Sequence, residues 1–516
     1  MPEKTYKTDP TQIALSQNLA NRPEKIHYER FFLSILGLLI MFFFGYLPAP
    51  APITPAGMKM LGIFIGLVFL WTTEDLFWPL FPAIVLFGSI AKDLFPASWQ
   101  SAGIYEATQQ SFGNWIVVFI MLCLVLCVAL EESGLIRRIA LWFLSTKFAR
   151  RSPKSFMVTL MFTSMFVGLF LDATPTQSFM LSIAYELFEE VGYKPGDKWP
   201  QDMVMGVTCA TAIGYAMTPI CHVCPLLILG VLSGITGMTV NFVSYMIVCI
   251  PIGLVMFALL CLWVCFCVKS DTTLLEKYDM TALDKIRPGK MERRERWVAG
   301  VCIALVVLWV VPGILSFAAP DSAISAFFNR HTSLAPLVLG VGFLGFFHLN
   351  HDDPILNLPK AFKRINWQPV VLLAGIMMAS NGLNAPGAGI SDFIKVKLFP
   401  LISGFSPWVI IAAIAILSCL LTNVLANTAV GAVFVTAGAA LAMEMGMNPM
   451  YVGIAVCFGA NMAFLFPSSF IPVAVAYASP WCGGRTMLRN GAVVMAMSCV
   501  VMAILIFPVC RLIYGA

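Results

Sequence analysis

Residues 169–179 read LFLDATPTQSF, one carboxylate, two threonines and a proline in a run that is otherwise apolar. Pro175 withholds an amide, and its ring collides with the carbonyl four residues back, so a helix running through the segment breaks there. The setting follows from composition. Of 516 residues 59% are hydrophobic and 11% charged, whereas soluble domains carry about 25% charged residues. No Asp, Glu, Lys or Arg occurs from Met203 to Val268, from Leu398 to Met443, or from Met445 to Gly484. A membrane crossing takes about 20 apolar residues, so each run is long enough for two. With the other apolar stretches this predicts an all-α polytopic membrane protein of about 11 transmembrane helices, because lipid-facing backbone must satisfy its own hydrogen bonds. An ionisable residue at that depth, Asp172, marks a functional site.

The remaining charge is segregated. Basic residues cluster in the N-terminal tail (Lys4, Lys7, Arg22, Lys25, Arg30), in RRIALWFLSTKFARRSPK (137–154), between Lys269 and Arg296, and in KAFKR (360–364). The positive-inside rule reads all four as cytosolic, so the net charge of +5 speaks for membrane topology rather than nucleic acid. The tail lacks a signal-peptide pattern, which predicts a cytosolic N-terminus in a cell membrane, with a bacterial inner membrane the best fit. Most of the fifteen cysteines fall at membrane depth, where they read as small apolar packing residues.

The stretch 269–296 divides the chain into halves that echo each other. The first reads NWIVVFIMLC, LDATPTQ and AMTPIC; the second reads NWQPVVLLAG, LANTAVG and FPSSFIPVA. Asn114 and Asp172 are 58 positions apart, Asn366 and Asn427 are 61; Asp172 and Pro219 are 47 apart, Asn427 and Pro472 are 45. Matched blocks of this kind indicate an internal repeat and point to secondary transporters, whose broken helices place free amides toward an anion and free carbonyls toward a cation. The expected organisation is a tail (1–30), a first half (31–268), a linker (269–296) and a second half (297–516). Broken helices fall near 155–185 and 407–443. Re-entrant hairpins fall near 107–131, beginning at Asn114, and near 366–391, where Ser380, Asn381, Asn384, Pro386 and Gly387 crowd together. A short extracellular loop is the plainer reading of that second stretch.

ESGLIRRIAL, NWQPVVLLAG, LTNVLANTAVGAVFV and MAFLFPSSFIPVAVAYAS resemble the divalent anion:sodium symporter family, nearly from end to end of the chain. The resemblance implies a homodimer, a scaffold domain, and a transport domain that slides like an elevator. It also implies inverted repeats with one re-entrant hairpin each, and a Ser-Asn-Thr motif in each repeat with a Thr-Pro-Pro segment about fifty residues later. Ala426-Asn427-Thr428 stands at the second Ser-Asn-Thr and Asp172-Ala173-Thr174 at the first. Thr218-Pro219-Ile220 and Phe470-Ile471-Pro472 stand at the later segments. Substrate contacts are therefore expected from Asp172, Ala173, Thr174, Thr218, Pro219, Ala426, Asn427 and Thr428. Cation contacts are expected from Asp172, Thr176, Thr422, Asn427 and Ser469.

Asp172 keeps three readings: a carboxylate ligand for the coupling cation, a proton carrier, or a helix cap. CHVC (221–224) and HLNHDD (348–353) carry metal-ligand types, but the first follows Thr218-Pro219 and the second reads as a solvated turn. The favoured function is sodium-coupled secondary transport of a small dianion, di- or tricarboxylate above sulfate. Sodium-independent exchange and proton coupling are the alternatives, and an intramembrane metalloenzyme is a distant rival. There is no P-loop, so nucleotide-driven transport is not expected, nor is any catalytic cofactor.

Overall fold

A computed structural model describes residues 28–515 except 75, 96–102, 221, 238–241, 269, 279–288, 320, 332–333, 351–352 and 468–469. Cys221, His351, Asp352 and the expected cation ligand Ser469 lie outside the described residues, as does the tail through residue 27.

The helices used below are α1 (Tyr28–Phe43), α2 (Pro55–Thr73), α3 (Leu80–Leu94), α4 (Trp115–Glu132), α5 (Leu135–Leu144), α6 (Pro153–Val167), α7 (Ala173–Val191), α8 (Lys198–Met217), α9 (Val223–Thr236) and α10 (Phe242–Leu262). In the second half they are α11 (Arg293–Ala318), α12 (Leu334–Phe346), α13 (Gln368–Leu383), α14 (Pro407–Thr422), α15 (Asn427–Glu444), α16 (Met450–Asn461), α17 (Ile471–Ala478) and α18 (Gly484–Tyr514). The strands among the described residues form a small ribbon, His348–Asn350 against Asp353–Pro354. Among the described residues six helices are long and apolar enough to cross a bilayer alone, and five further apolar helices have 10–17 residues. Two of the short ones, α9 and α16, are halves of helices interrupted at polar breaks.

Helix starts obey local chemistry. Thr54-Pro55, Ser152-Pro153 and Ser406-Pro407 each place a hydroxyl at the cap and a proline at the first helical position. The hydroxyl accepts a free amide, and proline there forfeits no helical bond.

Residues 152–192 and 406–446 are built alike at a constant offset of 254 positions. Each begins at a Ser-Pro start and carries a fully buried serine, Ser164 or Ser418. Each then breaks, restarts a helix at an N-cap, Asp172 or Ala426, and ends at a left-handed glycine, Gly192 (φ +91°) or Gly446 (φ +68°). The closing bonds also match: the Tyr193 amide donates to Phe188 O and the Met447 amide to Ala442 O, both at 2.9 Å. A left-handed helix terminus of this kind favours glycine, which has no Cβ to clash.

Contacts give the direction of each block. Lys154, at the start of α6, sits 4.4 Å over the Phe266 ring. Tyr193, just past α7, donates to Asp271 O at 3.1 Å. The α6–α7 pair thus enters and leaves at one end, against Phe266 and Asp271, and is an antiparallel hairpin. In the second block Lys395, ahead of α14, pairs with Glu444 at the end of α15 at 3.1 Å, which makes α14–α15 the other hairpin. The α8 helix begins beside the start of α18, where Gln201 accepts from Thr486 at 2.6 Å. The α16 helix begins beside its far end, where Tyr451 reaches Gly515 O. Because α18 has 31 residues, about 46 Å of helix separates those ends, and the two blocks run in opposite directions.

The hairpins therefore lie at 153–191 and 407–444, and not near 107–131 or 366–391. The broken helices are α8–α9, interrupted after Met217, and α16–α17, interrupted after Asn461. The physical reason is local. Residues 115–132 hold neither glycine nor proline and form one uninterrupted helix. Near 380–388 the Gly, Asn and Pro come where α13 is already ending. The stop at Asp172-Ala-Thr-Pro reverses the chain instead of kinking it, a distinction that hydropathy does not carry.

The blocks interlock. The α8 helix packs on both arms of the first hairpin and α16 on both arms of the second, while α9 crosses to α15 and α17 crosses to α7. Glycines permit the closest approaches: a Cβ at Gly214 would lie 2.3 Å from Met165 O, and one at Gly459 would lie 2.5 Å from Ala415 O. Outward faces stay apolar, as with Ile303 (65% exposed) and Val307 (49%) on α11, the surface a bilayer covers. At the end where α7 closes, ion pairs gather the basic stretches: Arg138 with Glu295, and Arg364 with Glu132 at 2.6 Å.

Candidate functional site

Both hairpin tips and both helix breaks converge. At the first tip α6 stops at Val167, and Asp172 caps α7, its carboxylate accepting the Thr174 amide at 3.4 Å. Of the three readings of Asp172, the cap geometry is the one the fold displays. Ala173 is buried, Thr174 is half-buried, and Thr176 is fully buried. The Thr176 hydroxyl has no hydrogen-bond partner among the described residues. Gln177 beside it donates to Thr208 Oγ1 at 2.7 Å, fastening α7 to α8.

Thr218 joins the first break to the first tip by donating to Leu169 O at 2.5 Å; Pro219 follows it, buried. Three positions before Thr218, Tyr215, 3% exposed, accepts the amides of Val223 (2.9 Å) and Cys224 (3.4 Å) through its hydroxyl. It thereby caps α9, whose first amides have no side-chain cap of their own. The Asp172 carboxylate lies within electrostatic reach of this hydroxyl. The Tyr215 ring meets His222 at 4.3 Å and, from the second break, Phe470 at 5.9 Å.

The second tip is held by amides. Thr422 donates to Ala460 O at 2.7 Å. Asn423 accepts the Leu465 amide at 2.9 Å and donates to Cys419 O at 2.6 Å. Asn427, the first residue of α15, donates to Asn461 Oδ1 at 3.3 Å. Ala426 caps that helix without a side-chain bond, and Ala426, Asn427 and Thr428 are all half-buried. Asn461 donates to Cys457 O at 2.8 Å and reaches the Cys224 thiol. Cys457 lies 2.8 Å from the Tyr245 hydroxyl, which donates to Ala216 O at 2.7 Å. A series of contacts so runs from Tyr215 through Cys224 and Asn461 to Asn427, with the Asp172 carboxylate within electrostatic reach of its first member.

Asn114, Ser380 and Asn381 fall outside that series. Asn114 caps α4 by accepting the Ile116 amide at 3.0 Å. Asn381 donates to Gln110 Oε1 at 2.5 Å, and Ser380 lies 3.3 Å from Thr436, two turns into α15. Sequence reasoning missed Tyr215, Tyr245, Cys457 and Asn461. A tyrosine one turn before Thr218-Pro219 and an asparagine in an apolar run are the only traces they leave.

The cluster holds hydroxyls, amides, thiols, the His222 imidazole and one carboxylate. Its segments carry no arginine or lysine from Ser155 to Tyr185, from Met203 to Val268, or from Leu398 to Gly484. Positive potential for an anion comes there from helix N-termini, chiefly that of α15. Among the described residues no three His, Cys, Asp or Glu side chains gather as a metal group. In the HLNHDD stretch, His348 lies 2.8 Å from Phe346 O and Asp353 pairs with Arg294.

Residues 28–513 match the sodium:sulfate symporter transmembrane region. The sodium-dependent dicarboxylate transporter SdcS of Staphylococcus saprophyticus is 24% identical over 500 residues, 92% of this chain and 90% of that protein. SdcS of Staphylococcus aureus is 22% identical over 501 residues, 93% and 90% of the two chains. Two solved structures share the fold. The YdaH transporter of Alcanivorax borkumensis has a TM-score of 0.55 at 12% identity, over 89% of this chain and 98% of that one. MtrF of Neisseria gonorrhoeae, described among antimetabolite efflux pumps, has 0.56 at 14%, over 92% and 98%. With opposed blocks, an arginine-free polar cluster between them and this match over nearly its whole length, the chain is a multi-pass membrane transporter rather than an enzyme, and it belongs to the sodium:sulfate symporter family.

Proposed function

We propose that this chain is a secondary active symporter that moves a small carboxylate, of the dicarboxylate class named for its relatives, together with sodium. The observation that carries the reading is the meeting of two oppositely directed hairpin tips through Tyr215, Asn461 and Asn427. The open amides of α15 receive the substrate carboxylate. Thr422 and Asn427 at the second tip, and the unpartnered Thr176 hydroxyl at the first, supply neutral oxygens for sodium. Asp172, Ala173, Thr174, Thr218, Pro219, Ala426 and Thr428 line the remaining site.

The movement is of the elevator type. The interlocked α6–α9 and α14–α17 travel as one body against a scaffold that forms a homodimer. Supporting this, an apolar groove of about 430 Å³, open on the side of Ile303 and Val307, lies between Phe170, Leu171 and Ile220 at the first tip and break and Leu130 of α4 and Trp309 of α11. Such a boundary presents few hydrogen bonds to break on sliding. Proton coupling or exchange through Asp172 is the second reading, favoured by the carboxylate at the first tip.

Uptake of labelled succinate, malate, citrate and sulfate into proteoliposomes, with an inward sodium gradient or with choline, tests the proposal. Sodium-driven uptake of at least one carboxylate supports it. Uptake that ignores sodium and follows a proton gradient, or needs internal counter-substrate, replaces it with the second reading.

A further inference from the structure

The two tips are built alike yet differ in charge. At the same register, 254 positions apart, stand Asp172 and Ala426. At the first tip the Thr174 amide is already taken by the Asp172 carboxylate. Residue 175 is a proline with no amide to give, and the Thr176 amide donates to Asp172 O at 3.2 Å. The first turn of α7 thus has little left for an anion. At the second tip Ala426 brings no acceptor, and the amides opening α15 have no side-chain cap. The chain carries, covalently, the carboxylate that a substrate's second anionic group would otherwise bring to α7. One turn inward the Thr176 hydroxyl, fully buried, has no partner among the described residues, a polar group placed for a ligand.

Resting on the reading above, we propose that Asp172 is a specificity-determining residue that sets the substrate's charge: the transported species is a monoanion, with its carboxylate on α15 and a hydrogen-bond donor, such as a hydroxyl, amide or protonated carboxyl, toward Asp172. A dianion spanning both tips would set carboxylate against carboxylate, with no arginine or lysine in the surrounding segments to neutralise the pair, leaving the coupling sodium and the buried His222 beside Tyr215 to offset it. Such like-charge juxtaposition is a strong rejecting element.

Succinate and succinamate make the test, since they have nearly the same shape and differ by one charge at pH 7.5. Both are measured as labelled substrates in proteoliposome uptake assays with an inward sodium gradient, for the wild type, Asp172→Asn and Ala426→Asp. Asparagine remains a good helix cap, so Asp172→Asn keeps the tip folded. The wild type is expected to take succinamate with at least about tenfold lower KM than succinate. Asp172→Asn is expected to reverse that order, and Ala426→Asp to raise KM for both. Wild-type preference for succinate, left unchanged in Asp172→Asn, overturns the proposal while leaving sodium symport standing. Loss of sodium dependence in Asp172→Asn also overturns it, because Asp172 is then a cation ligand. Failure of every variant to take up either compound with sodium overturns this proposal and the parent reading together.

Discussion

The Tyr215 hydroxyl accepts the Val223 amide at 2.9 Å, so a side chain from the last turn of α8 closes the first turn of α9 across the break between them. The same ring touches Phe470 in the opposite block. Tyr215→Phe keeps the ring and removes the cap. Leaving buried amides unsatisfied costs about 1–3 kcal/mol. The variant is expected to reach the membrane folded, with the midpoint of its thermal unfolding lowered by a few degrees and its uptake rate reduced about tenfold. Wild-type uptake would show that the break is held by something else.

Thr422 and Asn427 hold the second tip to α16, and Asn427 sits where sodium and substrate meet in the proposal. Thr422→Ala and Asn427→Ala are expected to raise the sodium concentration for half-maximal uptake about tenfold, since a lost hydrogen bond or ligand of this kind is worth about 1–2 kcal/mol. Titration of uptake against sodium at fixed substrate measures it. An unchanged sodium midpoint would move the ion elsewhere.

Gly192 and Gly446 occupy the left-handed conformation that ends α7 and α15. A side chain there costs about 1–2 kcal/mol, so Gly192→Ala and Gly446→Ala should lower thermal stability modestly and by similar amounts. Gly214→Ala should do more, because its Cβ would meet the Met165 carbonyl at 2.3 Å and backbone yields less readily than a side-chain tip. Melting curves of the three purified variants give the ranking; equal losses at all three would argue against a tight α6–α8 contact.

Lys154 and Lys395 are both exposed and mark the entrances of the two hairpins. In a background lacking the exposed Cys267, Lys154→Cys and Lys395→Cys should react with a membrane-impermeant thiol reagent from opposite sides of sealed vesicles. Reaction from the same side would contradict the opposed orientation of the blocks.

Much of this architecture is legible in the residues. Charge-free runs announce the helices, Ser-Pro pairs mark two of their starts, and the polar stops at Asp172 and Asn427 mark the tips. Direction is not legible: a stop in an apolar run looks the same whether the chain reverses, as after Val167, or continues, as after Met217. Hydropathy alone therefore puts both hairpins too early in the chain, the first near 107–131 and the second near 366–391. The partners of the tips were hidden for a related reason. Tyr215 and Asn461 become site residues only through packing between blocks separated by more than two hundred positions, and an isolated tyrosine or asparagine in an apolar segment has no local signature of that role.

The central claim is that sodium and a carboxylate share one site built from both tips. Thermal unfolding of the detergent-purified protein, with sodium alone, carboxylate alone and both together, tests it most directly, because ligands that bind the folded state raise its melting temperature. The account predicts that sodium and carboxylate together raise it by more than the sum of their separate effects, as coupled binding requires, and that Asn427→Ala abolishes the excess. An equal rise with potassium in place of sodium, or an excess that survives Asn427→Ala, would contradict it.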